Sequence, residues 1–169
     1  MKQYLRFLVP LVIVVLIGGV YFLKNSSSEA ADDGEFRLVE TGEMPIEAMK
    51  AKGLPIVLDY GSDDCPPCVA MKPDLKAVNE EMQGKAFVKF VDVWKYEGAE
   101  GDLPVAVLPT QFFITADGKP YVPSEAVSAQ IEFLAYSNRE TGEHTYTAHE
   151  GMLSKAELEL ILEDMGVAR

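Results

Sequence analysis

Two residues in this chain have the type and spacing for covalent chemistry: Cys65 and Cys68, its only cysteines. Pro66 and Pro67 separate them. Before them runs the apolar, β-branched stretch Leu54 to Tyr60, and after them comes a helical pattern with Met71, Leu75, Val78 and Met82 on one face. Thiols at this spacing close a small reversible disulfide. If Cys65 stands at the helix N-terminus, the free N–H groups and positive dipole end favour its thiolate, the form that attacks disulfides. Cys65 is therefore the expected nucleophile and Cys68 its resolving partner.

The same spacing serves zinc half-sites and inert staples. A loop closed over so few residues restrains little unfolded-chain entropy, so a staple here is a poor one. Zinc requires four ligands, and His144 and His149 are the only histidines. They lie roughly 75 residues from the cysteines, against roughly 12–15 in a finger. Redox chemistry is the reading these comparisons favour, with metal binding and an inert pair as its rivals.

Around the pair, four features resemble the thioredoxin superfamily: Asp59 near the end of the central strand, the Cys65–Cys68 pair, Pro73 inside the following helix, and Pro109 within Val107-Leu108-Pro109-Thr110. The resemblance covers roughly residues 35–169. It implies a mixed sheet flanked by helices, an α/β fold with an insertion between the last two core strands. It also implies that Asp59 assists proton transfer at Cys68, that Pro109 is cis and faces the sulfurs, and that Leu108, Thr110, Pro66 and Pro67 border a peptide groove. No added cofactor is implied, the redox group being the Cys65–Cys68 disulfide itself. Asp64 stands where the superfamily usually has tryptophan, and Pro66-Pro67 replaces Gly-Pro.

These residues need elements to hold them, and the first segment is not one. Residues 7–23 carry no charge and approach the length that crosses a bilayer as a helix. We expect residues 1–24 to be a membrane anchor, a cleaved signal peptide being the alternative because Ser28 and Ala30 are small enough for a cleavage site. Lys2 and Arg6 precede the apolar run and Glu29, Asp32, Asp33 and Glu35 follow it, which orients the rest of the chain outside the cytoplasmic membrane. Residues 25–34 read as a linker and 35–169 as the folded domain. All 27 acidic residues follow residues 1–24, and only Lys2, Arg6 and Lys24 of the 15 basic ones do not. Nucleic acid is an unsuitable partner for such a surface, since no basic face is present to neutralise phosphates.

Along the domain, an edge strand is expected over 36–39, a short helix over 45–53 between Pro45 and Gly53, and a buried central strand over 54–60. The helix after Cys65 should end at Gly84, with Pro73 inside it. A third strand follows over 86–93. Residues 95–103 have no apolar period and read as a loop or degenerate helix, with Trp94 at their start, where a packing role is expected and flanking the active site is the alternative. Gln111 to Thr115 gives a fourth strand and Asp117-Gly118 a turn. The 120–142 insertion offers both a hairpin and a helical start. Residues 143–149 form the returning strand, and Ser154 to Glu157 is a capping box for the last helix.

Together these observations describe an extracytoplasmic thiol–disulfide oxidoreductase. The resemblance extends to exported, membrane-anchored bacterial proteins that reduce apocytochrome c or other exported disulfides and are recharged by a membrane thiol-electron carrier. The helix end favours a thiolate at Cys65, whereas the Asp63 and Asp64 carboxylates oppose it, which argues for a reductant. A disulfide-forming oxidase and a non-catalytic binding module are the alternatives.

Overall fold

A computed structural model describes residues 34–168. The expected anchor and most of the linker lie outside the described residues. Among the described residues, no helix is long and apolar enough to cross a membrane.

The elements are β1 (Val39–Glu40), α1 (Ile46–Lys50), β2 (Ile56–Gly61), α2 (Pro66–Glu81), β3 (Phe87–Asp92), β4 (Thr110–Ile114), α3 (Glu125–Ser128), β5 (Leu134–Ser137), β6 (His144–Glu150) and α4 (Lys155–Asp164). Six strands form one sheet in the order β1-β3-β2-β4-β6-β5. β1, β3 and β2 are parallel, and β4, β6 and β5 join antiparallel. A sheet of mixed direction with helices packed on it is the expected α/β architecture.

β2 and β3 sit inside the sheet and are buried at every position, as their mostly apolar sequences suit, with Asp59, Lys89 and Asp92 as the buried charged exceptions. Successive residues of β2 face opposite layers. Val57 joins Met71, Leu75 and Val78 of α2 and Leu158, Ile161 and Leu162 of α4 in one core. Leu58 and Tyr60 join Met49, Phe87 and Phe112 in the other. α4 carries the complete capping box: the Ser154 side chain accepts from the Glu157 N–H, and the Glu157 side chain accepts from the Ser154 N–H.

The expected edge strand is present but short, because residues 36–38 are held differently. Lys89, only 1% exposed, donates from Nζ to the carbonyls of Glu35 and Arg37 and to Glu40 Oε1, at 2.7, 2.8 and 2.8 Å. The Phe36 carbonyl, which a longer ladder would engage next after that of Leu38, accepts instead from Asn79 Nδ2 at 2.9 Å.

In the insertion, the helical start and the hairpin that the sequence offers as alternatives form in succession. A single helical turn, α3, precedes β5, which pairs with β6 and becomes a new sheet edge. Residues 94–103 form successive turns without a helix. Trp94 is 63% exposed, so the packing role expected for it is not the one it has. Its backbone N–H is fixed by Asp92, while its ring has no core position to fill.

Candidate active site

Cys65 is the N-cap of α2, in extended conformation, and accepts the Cys68 N–H at 3.4 Å on Sγ. Pro66 and Pro67 follow at the first helical positions, where a missing N–H costs nothing and the fixed φ suits the helix. The two cysteines are disulfide-bonded, with Cα atoms 5.3 Å apart. Both are nearly buried, at 5% and 4% exposure, so accessibility does not distinguish them and only position at the helix end does. Pro66 and Pro67 are exposed beside them.

The Leu108–Pro109 peptide is cis. Its loop lies against the sulfurs, with the Leu108 carbonyl 3.8 Å from Cys65 Sγ. Gly151 donates its N–H to the Pro109 carbonyl at 2.9 Å, tying this loop to the segment after β6. Leu108 is half-buried and borders the pair. Thr110 is fully buried and donates its hydroxyl to the Val107 carbonyl at 2.8 Å. It braces the loop and does not line a groove, a correction that follows from β4 beginning at that residue.

Asp59 lies under the first turn of α2. It faces the same side of β2 as Gly61, and a Cβ built on Gly61 would stand 3.3 Å from Cys68 Sγ. Gln111, its register partner on β4, donates Nε2–H to Asp59 Oδ1 at 2.8 Å, with the same nitrogen 3.6 Å from Met71 Sδ one turn beyond Cys68. Asp59 is 3% exposed, and burial pushes its carboxyl up to about 7 against the downward pull of the Gln111 N–H. A buried acid titrating near neutrality can take and return a proton at the pair.

Sequence reasoning missed three contributors. Gln111 and Gly61 act only through pairing and close approach, which no motif announces. The third is Asp92, at the end of β3. Its Oδ2 accepts the Asp63 N–H at 2.8 Å and the Ser62 hydroxyl at 3.4 Å, and its Oδ1 accepts the Trp94 and Lys95 N–H groups, each at 3.0 Å. Burial pushes Asp92 up, but these donors outweigh it and hold the carboxyl below its usual range. One side chain thus shapes the loop that delivers Cys65.

The two carboxylates beside Cys65 are not equivalent. Asp63 pairs with Lys72, whose ammonium also lies 5.0 Å from the Phe90 ring centre. Asp64 makes no ion pair among the described residues. Lys72 therefore offsets part of the opposing charge expected from the two together.

The histidines sit elsewhere. His144 Nε2 contacts the Tyr146 carbonyl at 3.0 Å, and His149 Nδ1 the Glu132 carbonyl at 2.8 Å. Among the described residues, no group of three or more His, Cys, Asp or Glu is arranged to hold a metal ion.

Residues 43–135, just over half of the chain, match the family described as thioredoxin-like domain. Thioredoxin Y of rice chloroplasts (Oryza sativa subsp. japonica) is 30% identical over 92 residues, 51% of this chain and 54% of that protein. Thioredoxin Y1 of Arabidopsis thaliana chloroplasts is 35% identical over 66 residues, 39% of this chain and 38% of that protein. The chain spans about half the length of the first and less of the second. A crystal structure of chloroplastic thioredoxin z superposes with a TM-score of 0.51 at 20% identity, covering 76% of this chain and 94% of that one. That likeness concerns the fold.

Proposed function

This chain belongs to the thioredoxin-like domain family, and from that premise we propose that it is a thiol–disulfide oxidoreductase that reduces disulfides of exported proteins. The observation that carries the reading is one arrangement: a disulfide-forming pair at the N-terminus of α2, above the buried Asp59 and against the cis-Pro109 loop.

In the dithiol form, the Cys65 thiolate attacks one sulfur of a substrate disulfide, and the other substrate sulfur leaves as a thiolate that takes up a proton. Asp59 accepts the Cys68 proton. The Cys68 thiolate then attacks Cys65 Sγ, forming the internal disulfide and releasing the second substrate sulfur, which is protonated in turn. Two electrons and two protons pass from the dithiol to the substrate. A two-electron thiol donor must restore the pair, and a membrane thiol-electron carrier fits an anchored protein. Residues 7–23 would supply the anchor, with the domain outside the cytoplasmic membrane. Asp64, left without an ion pair among the described residues, favours the reducing direction.

Insulin reduction by the purified protein tests the activity, and its failure with both thiols intact would leave a binding module. Cys68→Ser should trap substrates on Cys65. Trapping only through Cys68 in the reverse variant would overturn the assignment of roles. Direction is read from cells: a mostly reduced pair supports a reductase, and a mostly oxidised pair supports an oxidase. The full chain should resist carbonate extraction and keep Met1, whereas a mature chain starting near Ala31 would show cleavage.

A further inference from the structure

On the sheet face opposite α2, where residues 94–103 form turns in place of a covering helix, a cavity of about 560 Å³ remains. The volume is that of a small-molecule site. Neither cysteine lines it.

Tyr60 follows Asp59 on β2, so its side chain points to this face while Asp59 points to the thiols. Tyr60 is fully buried, lines the cavity, and its hydroxyl has no hydrogen-bond partner. The buried Glu100 Oε2 likewise has none. Glu43 and Glu100 line the same cavity as Tyr60, and burial, then the negative charges of Glu100 and Glu43, push the Tyr60 hydroxyl up. Glu43 also reaches Gly101, where a Cβ would stand 3.7 Å from its Oε1.

An unmade hydrogen bond in a buried site costs about 1–3 kcal/mol, so two unpartnered groups at one cavity imply a partner. Charge and shape say what kind. The lining holds four carboxylates, Glu43, Glu47, Glu100 and Asp102, against the single cation Lys50, which is paired with Glu47 at 2.8 Å. Phe112 stands edge-on to Tyr60 and Tyr146, with ring centres 5.8 and 6.1 Å apart, giving an aromatic wall. Ammonium groups are drawn to carboxylates and to aromatic faces alike.

We infer that this cavity is a second binding site, separate from the cysteine pair, for a small organic monocation whose ammonium sits among Glu43, Glu100 and the Tyr60 hydroxyl and whose apolar body lies on Phe112 and Tyr146. Amine and hydroxyl ligands of the same shape separate charge recognition from mere apolar filling.

The test titrates the full chain with phenethylamine, 2-phenylethanol and phenylacetate, following heat and backbone amide shifts. Phenethylamine should saturate a single site with shifts in β2, residues 99–103 and β6, 2-phenylethanol should bind at least tenfold more weakly, and phenylacetate should not bind. Glu100→Gln should weaken phenethylamine at least fivefold and narrow its advantage over the alcohol, and Tyr60→Phe should weaken it as well. Equal binding of amine and alcohol, no saturable amine binding, shifts centred on Cys65 and Cys68, or an unchanged Glu100→Gln would overturn the site. The ligand series needs only the wild-type chain, so the inference remains decided if a variant does not fold.

Discussion

Gly61 and Cys68 leave no room between them: a Cβ on Gly61 would lie 3.3 Å from both Cβ and Sγ of Cys68 and 2.9 Å from a Phe90 ring carbon. The first turn of α2 thus rests on bare backbone at the end of β2. Gly61→Ala should force the ring or the helix to shift and cost about 1–3 kcal/mol, the usual penalty of overpacking. Chemical denaturation of both proteins measures it, with slowed reduction of insulin as the accompanying effect. Equal stability and rate would show that the contact has slack.

Asp59→Asn should separate stability from turnover. The folded carboxyl titrates at about 7 against the ordinary 3.8, so the stability contributed by its neutral form is complete below 3.8 and is lost as pH rises to about 7. At pH 8 the variant should be more stable than wild type by on the order of 2–4 kcal/mol, and at pH 4 nearly equal. Release of trapped substrate should rise with pH through about 7 in wild type and lose that dependence in the variant. Denaturation at the two pH values and single-turnover release kinetics check both halves.

Asp64→Asn should shift the disulfide potential further than Asp63→Asn, because Lys72 already offsets Asp63. An exposed carboxylate near the sulfur is worth on the order of 0.5 kcal/mol, or roughly 10 mV for a two-electron couple. The shift should be toward oxidising values and shrink in salt. Equilibration with glutathione at two ionic strengths measures it, and a larger effect from Asp63→Asn would contradict the pairing.

Asp92→Asn leaves one oxygen for N–H donors that approach both sides of the carboxylate. It should cost about 1.5–3 kcal/mol at neutral pH, the range for hydrogen bonds to a charged group. Because the Asp92 carboxyl is held low in the folded state, its contribution is present above about 4 and lost as pH falls below that value, so variant and wild type should converge in acid. Denaturation across that range decides the matter.

Much of the site was legible because its signals are local. A Cys-x-x-Cys after an apolar run, a capping box at Ser154 and a glycine at 84 each report their own surroundings. Asp92 gave no such sign, since its donors at Asp63 and Ser62 lie 29 and 30 residues away. Thr110 was misread as lining the groove because a residue after a cis-proline belongs equally to the loop and to the strand, and here β4 claims it. Trp94 shows the same limit from the other side: composition expects an indole to be buried, and the Asp92 cap turns it out to solvent. The loop at 95–103 was legible, but the cavity beside it was not, because its lining is gathered from residues far apart in the chain, among them Glu43, Tyr60, Glu100, Phe112 and Tyr146.

Lys89 has a mechanical consequence. Its ammonium grips the carbonyls of Glu35 and Arg37, which precede β1 in the chain. A pull entering the domain from its N-terminal side therefore loads a charged clamp on β3 before it loads the β1–β3 ladder. The clamp is backed by Glu40, whose carboxyl Arg37 and Lys89 hold low despite its burial. Stretched from residue 34, the wild-type domain should resist at this point first, and a Lys89→Met domain should peel from that edge at lower force.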